Sequence, residues 1–309
     1  GNGLVAAAPR DGYLTVMRVA DGSTVWERDL RGESLARVWM EGGAVVFADA
    51  DMKRAHILGR SDGRLISRIL LRQPDPEHER VTLVLSDGML YGPDRLAGSE
   101  SVAAFDVSNG ERKWRVEVGK PIVSLFEPKS GYLGVGLLGG DAKILNERSG
   151  EVVLERSDPS VRAVTAGVMW AGTLILRSTA LRGPKQSIEL AAFDIATGTE
   201  EWRRKDVTAL SSGEEGLEVI SGVIPAIIEK SKTEPNAKQQ GATRIAAIAT
   251  LIDVRTGADA GTPTELAGSG QGVSHNGDMV LWPGILTVGS MKGIQAMRVE
   301  LTALPERGF

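Results

Sequence analysis

The chain has 309 residues, 42% of them apolar, a formal net charge of −4 and no cysteine. That length can bury a large core. The weak negative charge leaves no global footprint for a nucleic-acid backbone or an anionic membrane, and the lack of cysteine removes disulfides, thiolate nucleophiles and Cys-ligated zinc together.

No apolar run approaches the ~20 residues of a membrane helix. The opening GNGLVAAA has neither the charged region nor the length of a secretion signal, and no methionine starts the chain. It is therefore expected to be a piece of a longer product, with residues 1–309 folding as one domain.

A turn glycine recurs at Gly22, Gly63, Gly110, Gly150, Gly198 and Gly257, at intervals near the about 40 to 50 residues of a four-stranded propeller blade. Before each glycine stands a short polar residue, Asp21, Asp62, Asn109, Ser149, Thr197 or Thr256, suited to a tight turn. Four positions before it stand Arg18, Gly59, Asp106, Asn146, Asp194 and Asp253. Asp106 and Asp194 are placed to accept hydrogen bonds from turn amides, and the glycine supplies a positive φ. Four positions after it stand Trp26, Trp114 and Trp202, replaced in the other copies by Ser67, Leu154 and Gly261.

With four strands A to D per blade, named from the axis outward, the chain parses in order. Blade one supplies B, C and D from Gly3 to Leu30. Blades two to six cover Leu35 to Leu71, Val81 to Val118, Pro121 to Glu155, Val161 to Val207 and roughly Leu217 to Leu266. A seventh unit, Ser274 to Thr302, supplies A, B and C. Trp39, Trp170 and Trp282 fall at the end of strand A, before a glycine turn, so all six tryptophans belong to the repeat. The fold class is all-β: a β-propeller of four-stranded antiparallel blades, about seven, or eight with sequence not present here.

The hairpin AAFDIATGTEEW, with its Asp, Thr-Gly and Trp, resembles the quinoprotein-type propeller repeat. That family contains pyrroloquinoline quinone (PQQ) dehydrogenases and non-catalytic relatives such as the outer-membrane assembly lipoprotein of Gram-negative bacteria. The resemblance implies that Trp26, Trp114 and Trp202 lie between adjacent blades, and that the protein is extracytoplasmic. The enzymatic members use an adjacent-cysteine disulfide against the quinone and a calcium held by acidic and amide side chains. This chain has no cysteine, and no calcium cluster can be placed in it.

Other chemistry is sparse. His56, His78 and His275 sit in unrelated units without metal-ligand spacing. His56 reads as a strand C residue, His78 as a solvated loop residue and His275 as a turn residue. The glycine-rich stretches Gly131 to Asp141 and Gly268 to Gly272 read as a strand B and a linker, because neither has the Lys-Ser/Thr ending of a phosphate loop. No GxSxG elbow is present, and acid pairs such as Asp49 with Asp51 or Glu214 with Glu215 read as surface charge. No catalytic, cofactor-binding or metal residue is assigned.

The C-to-D turns are uniformly tight, whereas the long links are Arg72 to Arg80, Pro93 to Glu100, Arg177 to Ser187, Asp206 to Glu218 and Glu229 to Arg244. The parse puts all five on the face carrying the D-to-A and B-to-C connections, which marks that face for recognition. Two of these links make a basic rim of Arg177, Arg182, Lys185, Lys230, Lys232, Lys238 and Arg244 against Glu229 and Glu234. The expected function is a non-catalytic scaffold or protein-binding module of a larger complex. It would use no cofactor, bind no nucleic acid and insert in no membrane. One alternative is a PQQ-dependent dehydrogenase-like domain, with PQQ and calcium. The other is a carbohydrate- or peptide-binding propeller, which the commitment of all six tryptophans to the repeat argues against.

Overall fold

The computed structural model describes residues 3–7, 12–30, 35–49, 53–71, 83–94, 100–129, 131–180, 188–210, 217, 219–233, 243–265, 279–282, 285–290 and 293–298. Among them every regular element is a strand.

Blade one is β1 (Leu4–Ala7), β2 (Tyr13–Arg18) and β3 (Thr24–Asp29), and blade two is β4 (Leu35–Glu41), β5 (Ala44–Asp49), β6 (Arg54–Gly59) and β7 (Leu65–Leu70). Blade three is β8 (Val84–Ser86), β9 (Met89–Pro93), β10 (Ser101–Asp106) and β11 (Arg112–Glu117). Blade four is β12 (Ile122–Lys129), β13 (Tyr132–Leu137), β14 (Asp141–Asn146) and β15 (Val152–Ser157). Blade one is a three-stranded sheet and blades two to four are four-stranded sheets, each in simple sequence order, as expected.

Blades five and six form one seven-stranded sheet of β16 (Val161–Trp170), β17 (Thr173–Ala180), β18 (Ile188–Asp194), β19 (Glu200–Leu210), β20 (Val223–Thr233), β21 (Thr243–Asp253) and β22 (Asp259–Glu265). The last sheet holds β23 (Met279–Trp282), β24 (Ile285–Ser290) and β25 (Gly293–Arg298), the three strands expected of the seventh unit.

The long links are shorter than their composition suggests. β19 continues past blade five, and its end pairs with β20 at Val207↔Ile228, Ala209↔Ile227 and Leu210↔Ala226. The chain therefore enters strand A of blade six at Val207, and an isolated bridge Ile220↔Val223 resumes that strand after the intervening link. Likewise β20 and β21 stay paired from Val223↔Asp253 out to Thr233↔Thr243. Arg177, expected at the start of a link, is inside β17 between Ala166 and Leu190. Backbone pairing satisfies the peptide groups whatever the side chains are, so a polar composition did not end these strands.

The chain divides into two compact units, Gly1–Leu138 with Lys143–Glu155, and Gly139–Ala142 with Arg156–Phe309. In the first unit the apolar cores lie between successive sheets. Val45 and Phe47 of β5 pack with Leu14, Val16 and Trp26 of blade one, while Ala44, Val46 and Ala48 of the same strand pack with Leu90, Ala103 and Phe105 of blade three. The period-two alternation of a strand sends successive side chains to opposite faces. Because both faces are covered, β5 is apolar almost throughout. In β10, Val102 and Ala104 turn to blade four and Ala103 and Phe105 to blade two. In the second unit a single core joins Ile175, Leu190 and Ala192 of blade five to Ile224, Ala226 and Ile252 of blade six.

Candidate partner-binding surface

The motif that makes the sequence recognisable is structural. In all six C-to-D turns the glycine has a φ between 65° and 74°, and its N–H donates to the carbonyl four residues earlier over 2.7 to 2.9 Å. Asp106 Oδ1 accepts from the Ser108 amide at 2.9 Å, Asp194 Oδ1 from the Thr197 amide at 2.8 Å, and Asp253 Oδ1 from the Arg255 amide at 2.8 Å. Hydrogen bonds to the ionised form, above all from Ser108, hold the Asp106 carboxyl below the usual carboxylate range.

Each repeat tryptophan then reaches the turn of the following blade. The indole Nε1 donates to the carbonyl of Arg60 from Trp26 at 2.8 Å, of Glu147 from Trp114 at 2.7 Å and of Val254 from Trp202 at 2.7 Å. The ring covers the turn glycine so closely that an added Cβ would stand 2.7 Å from Trp26 at Gly63, 2.8 Å from Trp114 at Gly150 and 2.7 Å from Trp202 at Gly257. The Asp and Gly of the repeat thus build the turn, and the Trp of the preceding blade closes over it.

Other sequence candidates resolve similarly. His56 is buried and stacks on Phe47 with ring centroids 4.4 Å apart, a core position. Asp49 accepts from the Arg54 amide at 2.9 Å. The stretch Gly131 to Asp141 contains β13, the expected strand B. Asp51, His78, Glu214, Glu215, Gly268 to Gly272 and His275 lie outside the described residues. Among the described residues no three His, Asp or Glu side chains are grouped so as to hold a metal ion.

Of the basic rim, Arg177 is half-buried within β17, while Arg182, Lys185 and Lys238 lie outside the described residues. Lys230 and Lys232 are on β20 and Arg244 on β21, where Lys232 is paired directly with Arg244. The pairing of β19 with β20 ends at Ile228, and that of β22 with β21 at Ile248. Beyond those positions the described ladder is two strands wide, and it carries three of the seven rim residues.

The sequence reading missed a set of acids in the first unit. Toward the A-to-B ends of blades two, three and four stand Glu41, the last residue of β4, Asp87, which follows β8, and Glu127, two residues before the end of β12. Glu147, in the C-to-D turn of blade four, is buried, at 2% exposure. Its Oε2 accepts from the Gly131 amide at 2.8 Å, and its Oε1 is buried without a hydrogen-bond donor. Burial first, and then Glu127 and Asp87, push its carboxyl up, although the Gly131 amide and Ser86 oppose the shift. Burial likewise raises Glu127, with Glu41 and Asp87 adding to it and Ser86 opposing. Glu147 reads in sequence as one more polar turn residue. No spacing in the repeat marks the set, because the three acids stand at different offsets from their A-to-B turns.

The family model for outer membrane protein assembly factor BamB matches residues 3–226. The chain belongs to this family. No curated protein matches the chain. Among solved structures, BamB from Moraxella catarrhalis aligns at 13% identity over 99% of this chain and 86% of that one, with a TM-score of 0.64. Sqt1 from Saccharomyces cerevisiae aligns at 12% identity over 97% of this chain and 82% of that one, with a TM-score of 0.62. The computationally designed Ika8 protein aligns at 13% identity over 97% and 94%, with a TM-score of 0.53. At these identities the structural likeness establishes the β-propeller fold. The BamB family match bears on the PQQ-like repeat itself.

Proposed function

We propose that this chain is a non-catalytic β-propeller scaffold, a single domain over residues 1–309, that binds a protein partner within an extracytoplasmic complex serving outer-membrane protein assembly. Membership of the BamB family, matched over residues 3–226, is the observation that carries this reading. The use of every repeat tryptophan described at a C-to-D turn in blade joinery supports it, because the motif shared with quinone enzymes is then explained without quinone chemistry.

The partner is bound at the face with the D-to-A and B-to-C links, through the rim of Arg177, Arg182, Lys185, Lys230, Lys232, Lys238 and Arg244. The two-stranded end of the described β20–β21 ladder, with Lys232 opposite Arg244, favours an acidic partner segment, since like charges directly opposite on a ladder are destabilising until an anion relieves them. The combined variant Arg182→Glu, Lys185→Glu, Lys230→Glu, Lys232→Glu should lose the outer-membrane assembly proteins that copurify with the unaltered chain while melting at the same temperature. Unchanged copurification would remove the rim from the account. Under the same reading, PQQ with calcium produces neither a melting shift nor dye reduction, and either effect would favour the dehydrogenase alternative.

A further inference from the structure

An arginine recurs at one place on the outer strand of three blades, five positions after the turn glycine: Arg68 in blade two, Arg115 in blade three and Arg203 in blade five. All three hold the same register, opposite His56, Ala103 and Ala191 of strand C. In two of these blades the guanidinium is neutralised from within the chain. Arg115 Nε lies 3.2 Å from Asp94, and Arg203 reaches Asp158 at 2.6 Å and Glu189 at 3.2 Å. Glu189 stands two residues before Ala191, and the matching residue of blade two, two before His56, is Arg54. Blade two therefore has two cations where blade five has an ion pair. Both are exposed, and among the described residues neither makes an ion pair. Asp49 holds in blade two the place of Asp94, one residue past the pairs Ala48↔Ala55 and Pro93↔Val102. Its Oδ1 is turned to the Arg54 backbone amide at 2.9 Å.

The sheet edge beside these arginines is open. β7 is the last strand of its sheet, and among the described residues no strand pairs with its outer edge. Leu71 donates to the Lys53 carbonyl at 2.8 Å. Bonding direction alternates along an antiparallel strand, so Leu70 and Arg68 turn their own N–H and C=O groups away from β6. Ile66 and Leu70, exposed by 37% and 54%, stand on either side of Arg68. An extended chain laid along β7 would satisfy those backbone groups and cover both apolar side chains, as in strand addition to a sheet edge. The arginines select its charge. In blades three and five this register position takes a carboxylate, and the planar donors of a guanidinium match one.

We propose that the outer edge of β7 binds an extended segment of a protein partner, with an Asp or Glu of that segment held by Arg68 and Arg54. This goes beyond the rim reading and can fail without it, because β7 belongs to the first compact unit and the rim residues to the second.

Titration of the intact chain with the peptide acetyl-Thr-Val-Glu-Val-Thr-amide tests the site, following the amide signals of Arg68 and Leu70. Both signals should shift to saturation, and the glutamine counterpart of the peptide should bind about tenfold more weakly, as expected when charge-assisted hydrogen bonds are lost. Arg54→Gln with Arg68→Gln should give the same loss, while Arg64→Gln, exposed at the C-to-D turn of the same blade, should change nothing. Arg54→Glu restores the charge pattern of blade five. It should abolish peptide binding without lowering the melting temperature, because Arg68 then has a carboxylate within its own sheet. Absence of any shift, equal binding of the two peptides, or unchanged binding by the double glutamine variant would overturn the proposal. So would displacement of the peptide by an equal concentration of inorganic phosphate, which would reduce the two arginines to a general anion site.

Discussion

Two blade boundaries in the first unit solve the same packing problem with different residues. Between blades three and four, Trp114 covers Gly150, donates to the Glu147 carbonyl at 2.7 Å and lies 5.8 Å from the Tyr91 ring. Between blades two and three the equivalent position is Ser67, which closes on Gly110 with its own small side chain. There the space is filled from within the sheets by Ile57, Ile69, Leu71, Phe105 and Val107. The turn glycine keeps a positive φ at both boundaries. The backbone of the turn is therefore set by local hydrogen bonding, and the tryptophan is an addition that seals one boundary in a particular way.

The largest effect that separates the two is expected from Trp114→Ala, a loss of about 3 kcal/mol, typical of large aromatic truncations. Ser67→Ala should stay within about 0.5 kcal/mol. Urea unfolding of the two variants checks the difference, and equal losses would place the tryptophan elsewhere.

Gly150→Ala should cost about 2 kcal/mol, combining a left-handed backbone with a Cβ against the indole. Gly22→Ala, at a similar φ of 70° but with nothing within 4 Å of the added Cβ, should cost about 1 kcal/mol. In a Trp114→Ala background the Gly150 penalty should fall to the Gly22 value, a coupling measurable in a double-mutant cycle. Trp114→Phe, which retains a ring but leaves the Glu147 carbonyl without its indole donor, should cost about 1 kcal/mol.

The smallest effect concerns Glu147. Its folded-state pKa is raised, mainly by burial, so protonation favours the folded state. Stability from this group is present below the ordinary glutamate range and is lost as pH rises through the raised value. Glu147→Gln should therefore melt higher than the unaltered chain at pH 7.5, with the advantage vanishing near pH 4. A constant difference across that range would assign the effect to packing.

The joinery was legible because its causes are local. The Asp-to-Gly turn lies within five residues of sequence, and a tryptophan at a fixed offset from it repeats three times. The blade boundaries followed from the turn positions, although β17 runs through Arg177 to Ala180 where a link was expected, and the main exception is near blade six. That exception has a physical reason: strand A of blade six is interrupted, and its first half is the uninterrupted end of β19. Polar composition likewise concealed the pairing of Lys230, Lys232 and Arg244, since a ladder extends by backbone hydrogen bonds alone. The influence of Glu127 and Asp87 on buried Glu147 was not legible, because it arises only when blades three and four stand side by side and each acid looks like ordinary surface charge on its own.

The repeated residues build the blades, and partner binding is assigned to the irregular positions between them. The most direct test of this division measures melting and partner copurification together for Trp114→Ala and for the four-charge rim variant. Trp114→Ala should lower the melting temperature yet retain its partner at temperatures where it is folded, and the rim variant should melt normally and lose its partner. Loss of the partner by folded Trp114→Ala, with retention by the rim variant, would contradict it.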